Sequence, residues 1–167
     1  MLSRRREAQN GSIKYFQLQW ARTEAIFCDS KIVVPYRTKE NAFAYNDSEW
    51  FCRSDCYVIT AKSKSTDLFY ILGLLNSKLN FVWLYNRGKR KGEILELFQV
   101  PLSEIPIIDL DEEKKSEIAE LSKRITMIKK DDPSSDTGEL EAQIDSILYT
   151  EYQLTAKEIE AVEASFK

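Results

Sequence analysis

The stretch DLFYILGLLNSKLNFVWLYN, residues 67–86, decides the fold, because its apolar side chains recur mostly at intervals of three and four residues. These positions are Leu68, Ile71, Leu72, Leu75, Leu79 and Val82. Such spacing places them along one face of an α-helix, and Thr66 or Asp67 is suited to cap its first turn. The pattern predicts one long helix over residues 67–86.

Short apolar segments on both sides of this helix predict strands. They are rich in β-branched or aromatic residues and cover 13–27 (a strand or an extended segment), 31–36, 42–45, 56–60 and 94–100. Polar stretches at 37–41 and 62–67 predict loops. We therefore expect an α+β fold, in which a mixed or antiparallel sheet with one long helix carries recognition loops on one side.

The last third of the chain has a purely helical period. Four isoleucine and leucine side chains spaced by three, four and three residues form a narrow apolar seam, namely Ile118, Leu121, Ile125 and Ile128. A breaker at 131–136, apolar spacing over 140–148 and a capping-box pattern at 155–158 follow. These features predict a helical hairpin from about residue 111 and a short terminal helix. We expect the seam to pack against the second helix, with self-association through it as the alternative.

The charge of the chain divides at the same place. The 167 residues carry a net charge of -3, but residues 1–110 hold 16 Lys and Arg against 12 Asp and Glu, whereas residues 111–167 hold 8 against 15. The first part is basic and aromatic, and the second is acidic and almost free of aromatic residues. We therefore predict two regions, 1–110 and 111–167, and expect any contact with a polyanion in the first.

The basic run Arg87-Gly88-Lys89-Arg90-Lys91-Gly92 is the strongest functional signal in that first part. Its four cations repel one another, and a bound polyanion relieves that repulsion and releases counterions. The sequence therefore predicts a flexible basic loop that contacts nucleic acid, with a solvated surface loop as the alternative. The arginines are suited to a guanine edge and the lysines to phosphates.

Two other polar stretches are candidates for the same contact. The first contains Arg37, Thr38, Lys39 and Asn41, and Arg and Asn are the side chains that bind guanine and adenine with two hydrogen bonds. The second contains Lys62 and Lys64, for which we expect phosphate contact. An ordinary polar turn is the alternative for both.

Several classes of function are disfavoured. The chain has no histidine, which excludes imidazole chemistry, and its five glycines do not form a phosphate-binding loop. Three cysteines without histidine make a poor zinc site, and Glu113-Lys114-Lys115 is expected on a solvated helix face. Neither a signal peptide nor a membrane-spanning apolar run is present. We expect a cytoplasmic protein that is not an enzyme by itself.

Five segments in a fixed order resemble the C-terminal specificity domain of Taq-type adenine DNA methyltransferases, which occur in type II and especially type IIG restriction-modification enzymes. They are Phe16–Arg22, Lys31–Arg37 with Phe43–Tyr45, Leu74–Leu79, Pro101–Ile107 and Ile144–Ile159. The third and fourth also resemble half of a type I specificity subunit. The resemblance covers most of the chain.

The resemblance implies a target-recognition domain that docks in the major groove of double-stranded DNA. In this family a separate N-terminal Rossmann-like domain binds S-adenosylmethionine and methylates a flipped adenine. Its Asn-Pro-Pro-Tyr motif and its glycine motif are absent here, so no cofactor is expected in this chain. The implied partners are DNA and the catalytic domain of the parent enzyme, in a prokaryotic cytoplasm near the nucleoid. A homodimer through the C-terminal helices, acting as a protein-interaction module, is the alternative, and RNA binding is a weaker one.

Overall fold

The computed structural model describes residues 2–17, 22–52 and 55–165, so part of the predicted extended segment 13–27 lies outside the described residues. After a 3-10 turn at Leu2–Arg4, the helices are α1 (Arg6–Gln9), α2 (Ala25–Cys28), α3 (Leu68–Asn76), α4 (Lys78–Arg87), α5 (Gln99–Ser103), α6 (Glu112–Asp131), α7 (Gly138–Glu151) and α8 (Ala156–Ala164). The strands are β1 (Lys31–Pro35), β2 (Arg37–Thr38), β3 (Ala44–Asn46), β4 (Cys56–Thr60), β5 (Lys89–Lys91) and β6 (Ile94–Glu96). The predicted α+β class is confirmed.

The strands form two small antiparallel sheets rather than the single expected sheet. Sheet 1 has the order β3-β1-β4, and Ile32 in β1 lies opposite Tyr45 in β3 and Ile59 in β4. Sheet 2 has the order β2-β6-β5. Arg37 and Thr38, predicted in a loop, form its edge strand β2 because they pair with Glu96 and Leu95 of β6.

Tyr36 joins the two sheets. It stands between β1 and β2, and its backbone N–H donates to Asp55 O at 2.9 Å beside sheet 1. Its carbonyl oxygen accepts from Leu97 N at 2.9 Å beside sheet 2. One continuous segment therefore leaves the first sheet and enters the second at a single residue.

The predicted long helix is in fact two helices, α3 and α4. Ser77 between them has an extended backbone, with φ -66° and ψ 152°. Its hydroxyl donates to Leu74 O and accepts from Asn80 N, so it closes one helix and caps the next. The Asn76 side chain is also occupied, because it bonds both the N–H and the carbonyl of Phe43. The polar side chains of Asn76 and Ser77 determine the break. The apolar period continues through it, so the period alone predicted one helix.

Two other predicted strands need correction. The described residues of 13–27 contain turns and the single helical turn α2, with no strand among them. The segment 94–100 is strand only to Glu96, and α5 begins at Gln99 with Pro101 in its first turn, where a missing N–H costs nothing.

Helix α3 lies between two apolar cores. Its Leu72 and Leu75 pack with Ile32 and Val34 of sheet 1 and with Leu95 of sheet 2. On the other side of α3, a second core joins it to the C-terminal helices and contains Tyr70, Leu74, Leu110, Ile118, Leu121, Ile144 and Leu148. Helix α3 thus contacts structure on both sides of the predicted division at residue 110.

The C-terminal helices follow the prediction of a hairpin and a short terminal helix. Asp111 caps α6 by accepting from Lys114 N, and Thr155 with Glu158 forms the expected capping box of α8. The seam residues Ile118 and Leu121 are buried within the chain. None of the described helices combines the length and the apolar character that crossing a membrane requires.

Candidate nucleic-acid interface

The pairing of sheet 2 brings three predicted cations to one face. Arg37 and Lys89 both lie opposite Glu96, one on each neighbouring strand, so the three side chains share a face. Lys91 is two residues from Lys89 on the same strand and therefore points to that face as well. We call Arg37, Lys89, Lys91 and Glu96 the cation face of sheet 2.

Glu96 is the centre of this face. Its side chain is only 5% exposed, and its Oε1 accepts from Arg37 Nε at 3.0 Å and Nη2 at 2.9 Å. Its Oε2 lies 3.5 Å from Lys89 Nζ. The hydrogen bond from Arg37 lowers the pKa of the Glu96 carboxyl against the opposing effect of burial, and the charge of Lys89 lowers it further. One buried carboxylate therefore holds two cations whose side chains remain 55% and 68% exposed.

Two aromatic rings support the same cations. The Arg37 guanidinium lies 5.3 Å from the Tyr36 ring centre, and Lys89 Nζ lies 5.4 Å from that of Phe98. The two rings meet edge to face at 5.3 Å. Since cations are attracted to aromatic faces, each basic group is held both by a ring and by Glu96.

The predicted flexible loop at residues 87–92 is instead the end of α4 followed by a β-hairpin. Strands β5 and β6 are joined by Gly92 and Glu93, and Gly92 has φ +62°. Among the described residues of this turn only the first has positive φ, the pattern of the type II′ turn that suits a two-residue hairpin. The basic run is ordered because Lys89, Arg90 and Lys91 pair in turn with Glu96, Leu95 and Ile94 of β6.

The remaining cations of the run occupy different surroundings. Arg90 shares the opposite face with Leu95, and its guanidinium stacks 4.2 Å from the Tyr85 ring centre on α4. Arg87 ends α4, with its guanidinium 5.7 Å from the Trp83 ring and 3.4 Å from Glu104. Both lie close to sheet 2 but outside its cation face.

The first polar stretch is divided by the structure. The exposed Lys39 pairs with Glu93 of the hairpin turn at 3.3 Å, which adds it to the edge of sheet 2. The Thr38 hydroxyl donates to the backbone oxygen of Glu40 and accepts from its N–H. Asn41 turns inward, since its amide donates to Ser77 O at 2.9 Å and its Oδ1 is buried with no partner among the described residues. Asn41 in this position supports the backbone rather than offering its amide to a base.

Lys62 and Lys64 are exposed on the loop after β4 and are not brought to the cation face. Strand β4 ends at Thr60 opposite Lys31, whereas the junction with sheet 2 is at the other end of β1. The length of β1, at about 3.3 Å per residue, therefore separates Lys62 and Lys64 from the cation face. Any contact they make belongs to a different part of a ligand.

The predicted site residues do not include Glu96, Tyr36, Phe98 or Tyr85. A signal for Glu96 was present, because a lone carboxylate inside the apolar run Ile94–Phe98 requires a cationic partner when buried. The described residues contain no group of three or more potential metal ligands. The cysteines are free thiols, and burial raises the pKa of Cys56.

Comparison with known proteins identifies the family of this region. The model of the TaqI-like C-terminal specificity domain matches residues 4–107, which include both sheets and α4. The type II methyltransferases M.HincII and M.HindII, both from Haemophilus influenzae, are each 28% identical to this chain over 121 residues. The match covers 68% of this chain and 24% and 23% of those proteins, so the chain spans about a quarter of their length. The chain belongs to the family of TaqI-like C-terminal specificity domains.

Proposed function

We propose that this chain is the double-stranded DNA recognition module of a restriction-modification methyltransferase, and that the cation face of sheet 2 enters the major groove. A single observation carries the proposal. Arg37 on β2 and Lys89 and Lys91 on β5 share one face of the hairpin β5–β6 and its neighbouring strand. A two-stranded ribbon fits the width of the major groove, and exposed cations along it neutralise phosphates. Membership in a specificity-domain family supports this assignment.

The parent enzyme is proposed to be an adenine-specific methyltransferase. The relatives are type II methyltransferases of which this chain matches about a quarter, which supports a separate catalytic part with its own S-adenosylmethionine site. That catalytic part and the duplex are the proposed partners, and a bacterial cytoplasm near the nucleoid is the proposed location. The chain itself is proposed to have no catalytic role.

Selection from a randomised duplex library at low and moderate salt tests the function. An enriched motif in the bound pool is the expected result for a module that recognises bases. The equilibrium constant is expected to fall with salt, with a slope of roughly 0.9 in log K per phosphate neutralised. A chain that binds no duplex even at low salt would refute the proposal.

A second candidate is a protein-interaction module that acts through the C-terminal helices, including self-association. It is favoured by a groove of about 480 Å³ between α4 and α7, lined by Leu79, Val82, Trp83, Tyr152 and Leu154 among others. Apolar grooves of this kind accept partner side chains. Sedimentation at high micromolar concentration separates the candidates, since a monomer there counts against the homodimer.

A further inference from the structure

We propose that Arg37 is the base-recognising residue of the cation face, that it binds a guanine edge, and that Glu96 is the positioning residue that holds it. This inference rests on the proposed function and deepens it by separating one specificity contact from the phosphate contacts around it. The partner is a guanine in the major groove, whose O6 and N7 accept two parallel hydrogen bonds from a guanidinium.

The geometry of the Arg37–Glu96 pair leaves one edge of the guanidinium available. Arginine has five N–H donors in a fixed planar arrangement. Nε and Nη2 are directed to Glu96 Oε1, at 3.0 Å and 2.9 Å. The described residues provide no hydrogen-bond acceptor for Nη1, so the edge formed by Nη1 and the second Nη2 proton is free. That edge has the spacing a guanine requires.

The same pair fixes the orientation of the guanidinium before any ligand arrives. Two hydrogen bonds to one oxygen of a carboxylate that is itself 5% exposed fix the direction of the guanidinium. The Tyr36 ring beside it limits the rotation of its plane. Recognition of a base edge benefits from this order, because less conformational entropy is lost on binding.

The other cations lack this combination. Lys89 and Lys91 carry compact ammonium groups without a planar fork, which suits phosphates. Among the described residues Arg90 is held by stacking on Tyr85 alone, and a stacked guanidinium can still rotate in its own plane. Arg87 also has a ring and a carboxylate beside it, Trp83 and Glu104, but Glu104 is itself 51% exposed and lies 3.4 Å away, so it does not fix the guanidinium as the buried Glu96 fixes that of Arg37.

The presence of Glu96 is itself informative. A surface that only bound phosphates would lose affinity by placing a carboxylate beneath its cations, since the anion cancels part of their charge. A carboxylate that fixes an arginine fork lowers the affinity for non-specific duplexes but raises the affinity for a site that the fork recognises. The face is therefore arranged for recognition at the expense of general attraction.

The first test replaces each enriched guanine of the selected site, in turn, by 7-deazaguanine, which lacks the N7 acceptor. At one position, wild-type affinity is expected to fall by about 2- to 13-fold, because one of the two hydrogen bonds is lost while the O6 acceptor remains. Arg37→Lys keeps the charge but not the fork, so it should bind the unmodified site more weakly and show no further loss with 7-deazaguanine.

The second test compares Glu96→Gln with Glu93→Gln, which removes the same charge from the exposed hairpin turn. Glu96→Gln is expected to bind the selected site more weakly and a non-specific duplex more tightly. Glu93→Gln should tighten both and leave their ratio unchanged. A merely structural role for Glu96 would lower both affinities together.

Four outcomes would contradict the proposal or the function on which it rests. Wild-type binding without an enriched guanine overturns the assignment of Arg37, as does an Arg37→Lys chain that keeps the full 7-deazaguanine effect. Parallel losses in Glu96→Gln overturn the role of Glu96. Absence of duplex binding by the wild type at low salt instead refutes the proposed function on which the inference rests.

Discussion

The carboxylate of Asp145 accepts a hydrogen bond from the backbone N–H of Lys78 at 2.9 Å, so that α7 caps the first residue of α4 from a distant part of the chain. Lys78 Nζ lies 4.0 Å from the same carboxylate and 2.6 Å from Glu163 on α8. Tyr149 donates to the other oxygen of Glu163. Burial raises the pKa of Asp145 to about 6, although the Lys78 N–H and its charge act in the opposite direction.

This relationship predicts an unusual pH dependence at Asp145. A raised pKa in the folded state means that stability is greatest while Asp145 is protonated and is lost as the pH rises from about 4 to about 6. Asp145→Asn keeps an acceptor for the Lys78 N–H without the charge. We expect the variant to match the wild type near pH 4 and to exceed its free energy of unfolding by up to about 3 kcal/mol near pH 7. Urea unfolding across this range measures the difference, and parallel curves would contradict it.

Glu96 is expected to show the opposite sign. Its lowered pKa means that its stabilising contribution is present above its ordinary value of 4.5 and is lost as the pH falls through the folded-state value. Glu96→Gln should therefore be less stable than the wild type near neutral pH and approach it in acid. Glu93→Gln, changed at an exposed position, serves as the control and should follow the wild type. The measurement is the midpoint of urea unfolding at each pH.

Gly73 allows α3 to approach α6 closely. A Cβ at this position would lie 2.4 Å from Ser122 Oγ and 2.7 Å from Ile118 Cγ2, which is fully buried. Gly73→Ala is expected to lower the free energy of unfolding by about 1–3 kcal/mol because the packed core cannot move aside. The loss is measured by chemical denaturation.

Ser122→Ala is the matched partner of that variant. The Ser122 hydroxyl is buried with no hydrogen-bond partner among the described residues, so its removal should be neutral or stabilising by about 1 kcal/mol. It also removes the shorter of the two clashes, and the double variant should therefore be more stable than Gly73→Ala alone. Equal stability of these two would show that Ile118 alone sets the cost.

Gly88 positions the hairpin relative to α4. A Cβ there would lie 2.6 Å from the carbonyl oxygen of Leu84 and 2.7 Å from Leu95 Cδ1. Since a helix carbonyl cannot turn away, Gly88→Ala should displace the hairpin and weaken duplex binding. Gly92→Ala is the control, because it meets nothing within 4 Å and costs only about 1–2 kcal/mol for its positive φ. Titration of a duplex into each variant compares them, and equal affinities would argue against hairpin displacement.

Lys91 is expected to contribute to binding without contributing to discrimination. It is exposed at the end of β5, on the cation face but remote from the Arg37–Glu96 pairing. Lys91→Ala should reduce the slope of log K against log salt by about 0.9 and leave the selected motif unchanged. Binding isotherms at several salt concentrations give the slope, and a changed motif would assign Lys91 a base contact.

The sequence predicted those parts of the fold that depend on apolar period and on capping side chains. The hairpin α6–α7, the capping box at Thr155 and strand β4 all follow from such local patterns. The break at Ser77 was not predicted, because the apolar period continues through it and the Asn76 side chain that supports it bonds Phe43, a residue 33 positions away. Long-range hydrogen bonds of this kind leave no periodic trace in a sequence.

The candidate site shows the same limit. The sequence predicted DNA contact for the basic residues at 37–39 and at 87–91, and that role stays a prediction. That Arg37 and Lys89 lie on either side of Glu96 depends on the register of three strands, which a one-residue slip would reverse. The structure supplies that register.

The junction at Tyr36 has a practical consequence for engineering. The backbone of Tyr36 hydrogen-bonds beside both sheets, whereas the register of sheet 1 is set by the pairing of β1 with β3 and β4. Residues 89–93 of the hairpin can therefore be exchanged without altering that register. A library that varies residues 89–93 while keeping Tyr36, Leu95 and Leu97 would alter the contact surface on an unchanged support. The chain thus offers a small scaffold on which new binding preferences can be selected independently of folding.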